Sequence, residues 1–168
     1  MQPYESVLGM LWKFARMNRL PGHLVVGQLR GYPVDPYEGI APADIDVRRV
    51  AQLLGISQRS VRDSIGSATA DASPFVRYCT RCAVAGYHCL LFQFERHVCC
   101  PIHDAPLLAK CRRCGRPSAY RFDAQLLDSP FRCRYCGRYY TCIGGAPAPM
   151  DRCLVHEERV AVTRAAFD

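Results

Sequence analysis

No run of about 18 apolar residues occurs in this chain, so its sequence offers no membrane-spanning helix. The opening Met1-Gln2-Pro3-Tyr4-Glu5 lacks the basic leader and apolar stretch of a secretory signal. The familiar catalytic signatures are missing too: there is no HExxH, no glycine-rich phosphate loop and no nucleophile elbow. His156-Glu157-Glu158 imitates the HxE of nucleobase deaminases, but no PCxxC follows it. These absences argue against an enzyme and point to a cytoplasmic protein.

Cysteine, by contrast, is abundant. Eleven occur in 168 residues, and their odd count and regular pairing suit metal in a reducing compartment better than a disulfide scaffold. Four pairs have the spacing of zinc knuckles: Cys79-x2-Cys82, Cys100-x2-His103, Cys111-x2-Cys114 and Cys133-x2-Cys136. A pair two residues apart grips one metal from a tight turn, and two pairs complete a tetrahedron. The pairs are separated by 17, 7 and 18 residues, which favours two Zn²⁺ bound in sequence, one per consecutive pair of knuckles. In the competing cross-brace of RING-type ubiquitin ligases the first and third pairs share a metal, but there the middle pairs lie closer and histidine is more frequent. Gly115 and Gly137 follow the second ligands of their pairs, where glycine lets backbone N–H groups turn toward sulfur. Ala83 and Asp104 stand in those places around the first site, so its turns are expected to differ. Cys89, Cys99, Cys142 and Cys153 are surplus and read as core residues or free thiols. Cys153-x2-His156 has knuckle spacing but only Cys142 nearby as a further ligand. His88 and His97 read as structural or exposed.

The formal charge is +7, from 22 basic and 15 acidic residues. Seven ligand thiolates and two Zn²⁺ would lower it to about +4. Between residues 110 and 138 eight basic residues face only two acids, Asp123 and Asp128. Arg112, Arg113, Arg116, Arg132, Arg134 and Arg138 are therefore candidate phosphate contacts, with a solvated basic face as the alternative.

Along the chain, Ser6 can cap a helix over residues 6–20 with an apolar stripe of Val7, Leu8, Leu11, Trp12, Ala15 and Met17, ended by Pro21-Gly22. A short apolar element is expected over residues 24–33. Asp44 or Asp46 can cap a helix through Leu54, Gly55 breaks it, and Ser57 can cap a second helix carrying Val61 and Ile65. This is the spacing of a helix-turn-helix, whose second helix would offer Gln58, Arg59 and Arg62 to DNA, backed by Arg48 and Arg49. A plain structural or partner-binding helix pair fits the same pattern. Residues 66–74 and 144–149 read as linkers. Short β-hairpins are expected around each metal, and a final helix capped by Asp151.

The expected fold is thus α+β in small domains: a helical helix-turn-helix-like domain over 1–72, zinc ribbons over 73–105 and 106–142, and a linker with a C-terminal helix or tail over 143–168. On the same sequence a transcription regulator or other zinc-dependent DNA-binding or protein-interaction module is the alternative.

Certain residues also resemble a known family. Glu5-Ser6-Val7 with Leu11, Ala15 and Asn18 looks like the ESL…L…A…N start of the TniQ transposition proteins. Arg77-Tyr78-Cys79-Thr80-Arg81-Cys82, Tyr87-His88, Cys100-Pro101-Ile102-His103, Pro106-Leu107-Leu108 and Cys111-x2-Cys114-Gly115 resemble that family's RYCPxC…YH…CPxH…L…CPxCG core. Thr80 replaces the usual proline, and Phe92 and Met10 stand where tryptophan is common. The chain is short for the family and lacks a long C-terminal target-reading domain. The resemblance covers residues 5 to about 137. It implies a bacterial target-selection adaptor that links DNA, or in some members a CRISPR effector complex bound by a TniQ homodimer, to an AAA+ transposition regulator.

Overall fold

The computed structural model describes residues 2–65, 71–142, 145 and 153–167. Most of both expected linkers, and Asp151, lie outside the described residues. Seven α-helices are present among them: α1 (Val7–Met17), α2 (Gly22–Gln28), α3 (Val47–Leu54), α4 (Gln58–Ile65), α5 (Thr80–Val84), α6 (Ala124–Leu127) and α7 (His156–Phe167). None is long and apolar enough to cross a membrane.

Local sequence explains the helical starts and stops. The Ser6 hydroxyl accepts the Gly9 N–H at 3.0 Å, capping α1, and the Asp46 carboxylate accepts the Arg49 N–H, capping α3. Such caps each contribute about 1 kcal/mol. Gly55 closes α3 at φ +65°, and Ser57 caps α4 through the Ser60 N–H. Two sequence expectations need correction. Met17 is 74% exposed and does not belong to the buried stripe of α1. α1 stops at Met17, short of the expected residue 20 though before Pro21-Gly22, and Gly22 itself begins α2, packed so tightly that a Cβ there would lie 2.3 Å from the Ala124 carbonyl oxygen.

The expected β-hairpins do not form ladders. Among the described residues only isolated antiparallel bridges occur, and three of them bracket knuckles: Cys99 with Pro106, Lys110 with Pro117, and Arg132 with Tyr139. Each is a single pair that closes a knuckle turn, and the Arg132–Tyr139 pair, which contains no proline, is as isolated as the other two.

Two apolar clusters organise the molecule. The larger joins α1 to α4 with Tyr78, Phe122, Leu126, Leu127, Phe131, Cys133 and Tyr140. Its hinge is the segment between the third and fourth ligand pairs. Asp123 caps α6 by accepting the Leu126 N–H, and the Leu126 carbonyl accepts the Trp12 indole N–H at 2.8 Å. The ring of Trp12 meets that of Phe131 at 4.9 Å, and the Asp128 carboxylate receives the Gly22 N–H at 2.6 Å. Thus the segment between those ligands is the part of the second metal module that docks on the N-terminal helices. The smaller cluster surrounds the first ligand set with Tyr87, Cys89, Leu90, Leu91, Phe92 and Phe94, and takes in Val162 of α7.

His88 ties the clusters together. It is 1% exposed, edge-on to Trp12 and Phe92. Its Nε2–H donates to the Arg77 carbonyl at 2.9 Å, which makes Nδ1 the acceptor for the Ser6 hydroxyl at 2.6 Å. Burial pushes the imidazole down to about 4. The unfolded chain then binds the extra proton between about pH 6.5 and 4, so this contribution is fully present above 6.5 and lost as pH falls through that window. Between pH 7 and 5 the wild type should lose about 2 kcal/mol more stability than His88→Gln, measured by denaturant melts. Equal losses would refute the assignment.

Candidate metal centres and the basic surface

The first ligand set is assembled by dissimilar elements. Cys79 precedes α5 and Cys82 lies within it, the Ala83 N–H donating to the Cys79 carbonyl at 2.9 Å. Cys100 and His103 sit on a tight turn closed by the Asp104 N–H on the Cys100 carbonyl. The two knuckles of the second set close in the same way, Gly115 onto Cys111 and Gly137 onto Cys133, with φ near +70°. Asp104 reaches φ +47° in the equivalent place, one of the few non-glycine side chains that tolerates this region. Of the two turns expected to differ around the first site, only that of the Cys79 pair does.

Within each set all four ligand atoms lie within 4.8 Å of one another: Cys79, Cys82, Cys100 and His103 in one, Cys111, Cys114, Cys133 and Cys136 in the other. Each could hold a metal ion. The sets are formed in series, and the first and third pairs do not share a cluster. Cys82 and Cys100 sulfurs are 3.6 Å apart, Cys111 and Cys136 3.6 Å, Cys114 and Cys133 3.7 Å, and His103 Nδ1 stands 3.3–3.6 Å from the three sulfurs of its set. A tetrahedral zinc at about 2.3 Å from sulfur would hold neighbouring sulfurs about 3.8 Å apart, so the donors fit that ion. The Arg113 and Tyr135 N–H groups point at the Cys111 and Cys133 sulfurs at 3.4 Å, as thiolates require.

The sulfurs also show what an ion would relieve. Hydrogen bonds with Cys100 and Cys82 hold the Cys79 thiol down, while those with Cys100 and Cys79, together with burial, push Cys82 up. Burial raises Cys111, but the N–H groups of Cys114 and Arg113 outweigh it and hold that thiol at about 7. Clustered thiols compete for the ionised form, and a dication allows all of them to be thiolates. The sites differ in cover: Cys79, Cys82 and Cys100 are buried, whereas Cys114 is half-buried and Cys136 exposed.

The surplus cysteines take no part. Cys89 is buried, its thiol pushed up to about 12 by desolvation; Cys99 is half-buried; Cys142 and Cys153 are exposed. Among the described residues Cys142, Cys153 and His156 do not gather into a third set.

The candidate phosphate contacts separate into two groups. The Arg134 guanidinium pairs with the Asp123 carboxylate at 2.7 Å and donates to Gln125, with side-chain exposures of 10% for Arg134 and 8% for Asp123. Arg132 donates to the Asp128 carbonyl, and Arg116 stacks 3.8 Å over the ring of Tyr135. Arg112, Arg113 and Arg138 are exposed and line one hollow with Tyr78, Tyr139 and Thr141. The tyrosines and Thr141 escaped the sequence reading, since only folding brings residues 78, 112 and 141 together. Gln58, Arg59 and Arg62 are exposed on α4, Arg62 donating to Gln58 and Arg59 lying 3.9 Å from Asp63. Arg48 and Arg49 line a different hollow from Arg59 and Arg62.

No protein-family model and no curated protein matches the chain.

Proposed function

We propose that this protein is a non-catalytic, zinc-stabilised adaptor of bacterial DNA transposition. It links a target, either DNA itself or a CRISPR effector complex, to an AAA+ transposition regulator. The observation that carries the reading is that widely separated motif blocks of the TniQ resemblance meet at one place. Ser6 of the N-terminal block bonds His88 of the YH block, which bonds Arg77 of the RYC block, 2.6 and 2.9 Å apart. Residues 82 positions apart in sequence match one motif order and pack as one unit, which supports a shared fold rather than scattered coincidences.

Two further observations favour an adaptor. Four protein donors per set leave no tetrahedral position for a reacting water, the arrangement of a structural zinc site. The helix pair α3–α4 presents Gln58, Arg59 and Arg62 on an exposed face, which suits a helix-turn-helix contact with DNA.

Native mass spectrometry should find two zinc ions on the chain. Fluorescence anisotropy with duplex DNA should give an affinity that falls with salt at a logarithmic slope of about −3 or steeper. An immobilised form should capture an AAA+ ATPase of a transposon from its own host. Absence of ATPase capture would sink the adaptor reading whatever the salt response. ATPase capture with no DNA binding would instead make the protein an interaction module recruited through another target reader.

A further inference from the structure

Seven arginines lie between residues 110 and 138. Four are engaged: Arg116 on Tyr135, Arg121 on the Gly39 carbonyl, Arg132 on the Asp128 carbonyl and Arg134 on Asp123. The guanidinium groups of Arg112, Arg113 and Arg138 make no hydrogen bond or ion pair among the described residues. These three come together. Arg112 and Arg113 occupy the x2 positions of one knuckle, Arg138 follows the glycine of the other, and the gathering of the four sulfurs brings the two turns side by side. Their hollow has no carboxylate in its lining; Tyr78 donates to the Lys110 carbonyl and Thr141 to that of Gly145, and Tyr139 and Cys142 complete it.

We propose that Arg112, Arg113 and Arg138 form a phosphate seat on the second metal site, and that its occupant is a backbone phosphate of nucleic acid. Three planar, permanently charged forks without an internal partner suit a tetrahedral oxyanion, which each can grip with two parallel N–H donors. The buried Tyr78, stacked on Tyr140 at 4.0 Å, lines the same hollow and gives it a rigid wall. An ion held by the four sulfurs would fix the spacing between the two knuckles and so steady the seat. This inference rests on the DNA contact in the proposed function, and it narrows six candidate contacts to three.

The test uses the full zinc-loaded chain, a pocket triple (Arg112→Ala, Arg113→Ala, Arg138→Ala) and a charge-matched remote triple (Arg16→Ala, Arg159→Ala, Arg164→Ala). Inorganic pyrophosphate, titrated by calorimetry, should bind the wild type saturably, at least about tenfold more weakly in the pocket triple, and within about twofold in the remote one. The salt slope for duplex DNA should flatten by about 1 in the pocket triple and stay unchanged in the remote one. Should the pocket triple lose zinc, Arg138→Glu alone carries the same comparison. Equal pyrophosphate binding by the two triples, or an unaltered DNA slope, overturns the proposal. Pyrophosphate binding without any DNA binding by the wild type overturns the nucleic-acid occupant. DNA binding that changes as expected, with no capture of the ATPase, supports the seat and overturns the adaptor reading instead.

Discussion

Cys133→Ser should remove one of two zinc ions and, with it, much of the packing of the N-terminal helices. Cys133 is fully buried in the same apolar cluster as α1 to α4, two residues after Phe131, whose ring meets Trp12 at 4.9 Å. The free energy of a structural zinc is about 10–16 kcal/mol in small zinc domains and is realised as folding energy, so the loss here should be about 5 kcal/mol or more. Trp12 is the single tryptophan of the chain and 1% exposed, which makes it a reporter. Its emission should shift to the red in Cys133→Ser and the melting transition should fall by about 10–20 °C or more, about 2–4 °C accompanying each kcal/mol at this size. Retention of two zinc ions, or an unshifted spectrum, would show that the cluster holds together without the metal.

The second large effect is expected at Arg134. Its ion pair with Asp123 is nearly enclosed, and the same carboxylate caps α6. Removing one partner from a buried pair leaves an uncompensated charge, at a cost of about 3–5 kcal/mol; the residual exposure of this pair places it at the lower end, about 3 kcal/mol. Arg134→Ala should therefore lower stability by about that amount. The double variant with Asp123→Asn should recover part of the loss. DNA affinity of the folded Arg134→Ala protein should stay within about twofold of wild type, since the guanidinium already has two partners. A tenfold loss of DNA affinity at unchanged stability would return Arg134 to the contact surface.

Much of this architecture was readable from residue spacing. The ligand pairs announce themselves because two donors across a tight turn need two intervening residues, and the 17- and 18-residue intervals favour closure in series. Ser6, Asp46, Gly55 and Ser57 act locally, through the backbone of their own neighbours, so the starts and stops of α1, α3 and α4 follow from sequence. What was hidden depends on long-range packing. The four-residue α6 is too short to show a periodic pattern, and its docking on Trp12 and Gly22 joins positions more than 100 apart. Arg134 reads as a surface charge until Asp123 is found beside it. Asp104 conceals its turn because only glycine advertises a left-handed backbone. The hairpins failed for the opposite reason: aromatic content suggested strands, while Leu90–Gln93 winds into a 3-10 turn and the pairing beside the knuckles stops at single bridges.

The position of α6 between Cys114 and Cys133 has a thermodynamic consequence. The ligands of the second site cannot approach one another without drawing in the segment that docks on α1 and α2. The apparent affinity for a metal bound there would therefore contain the packing energy of those helices, and their stability would contain the metal. Such linkage is reciprocal: a substitution at Trp12 that weakens docking must weaken metal retention by the same free energy that metal removal takes from Trp12. The first set, surrounded by its own cluster with α7, would draw on different packing, so two ions titrated onto the chain should bind with two affinities, joined only through contacts such as those of His88.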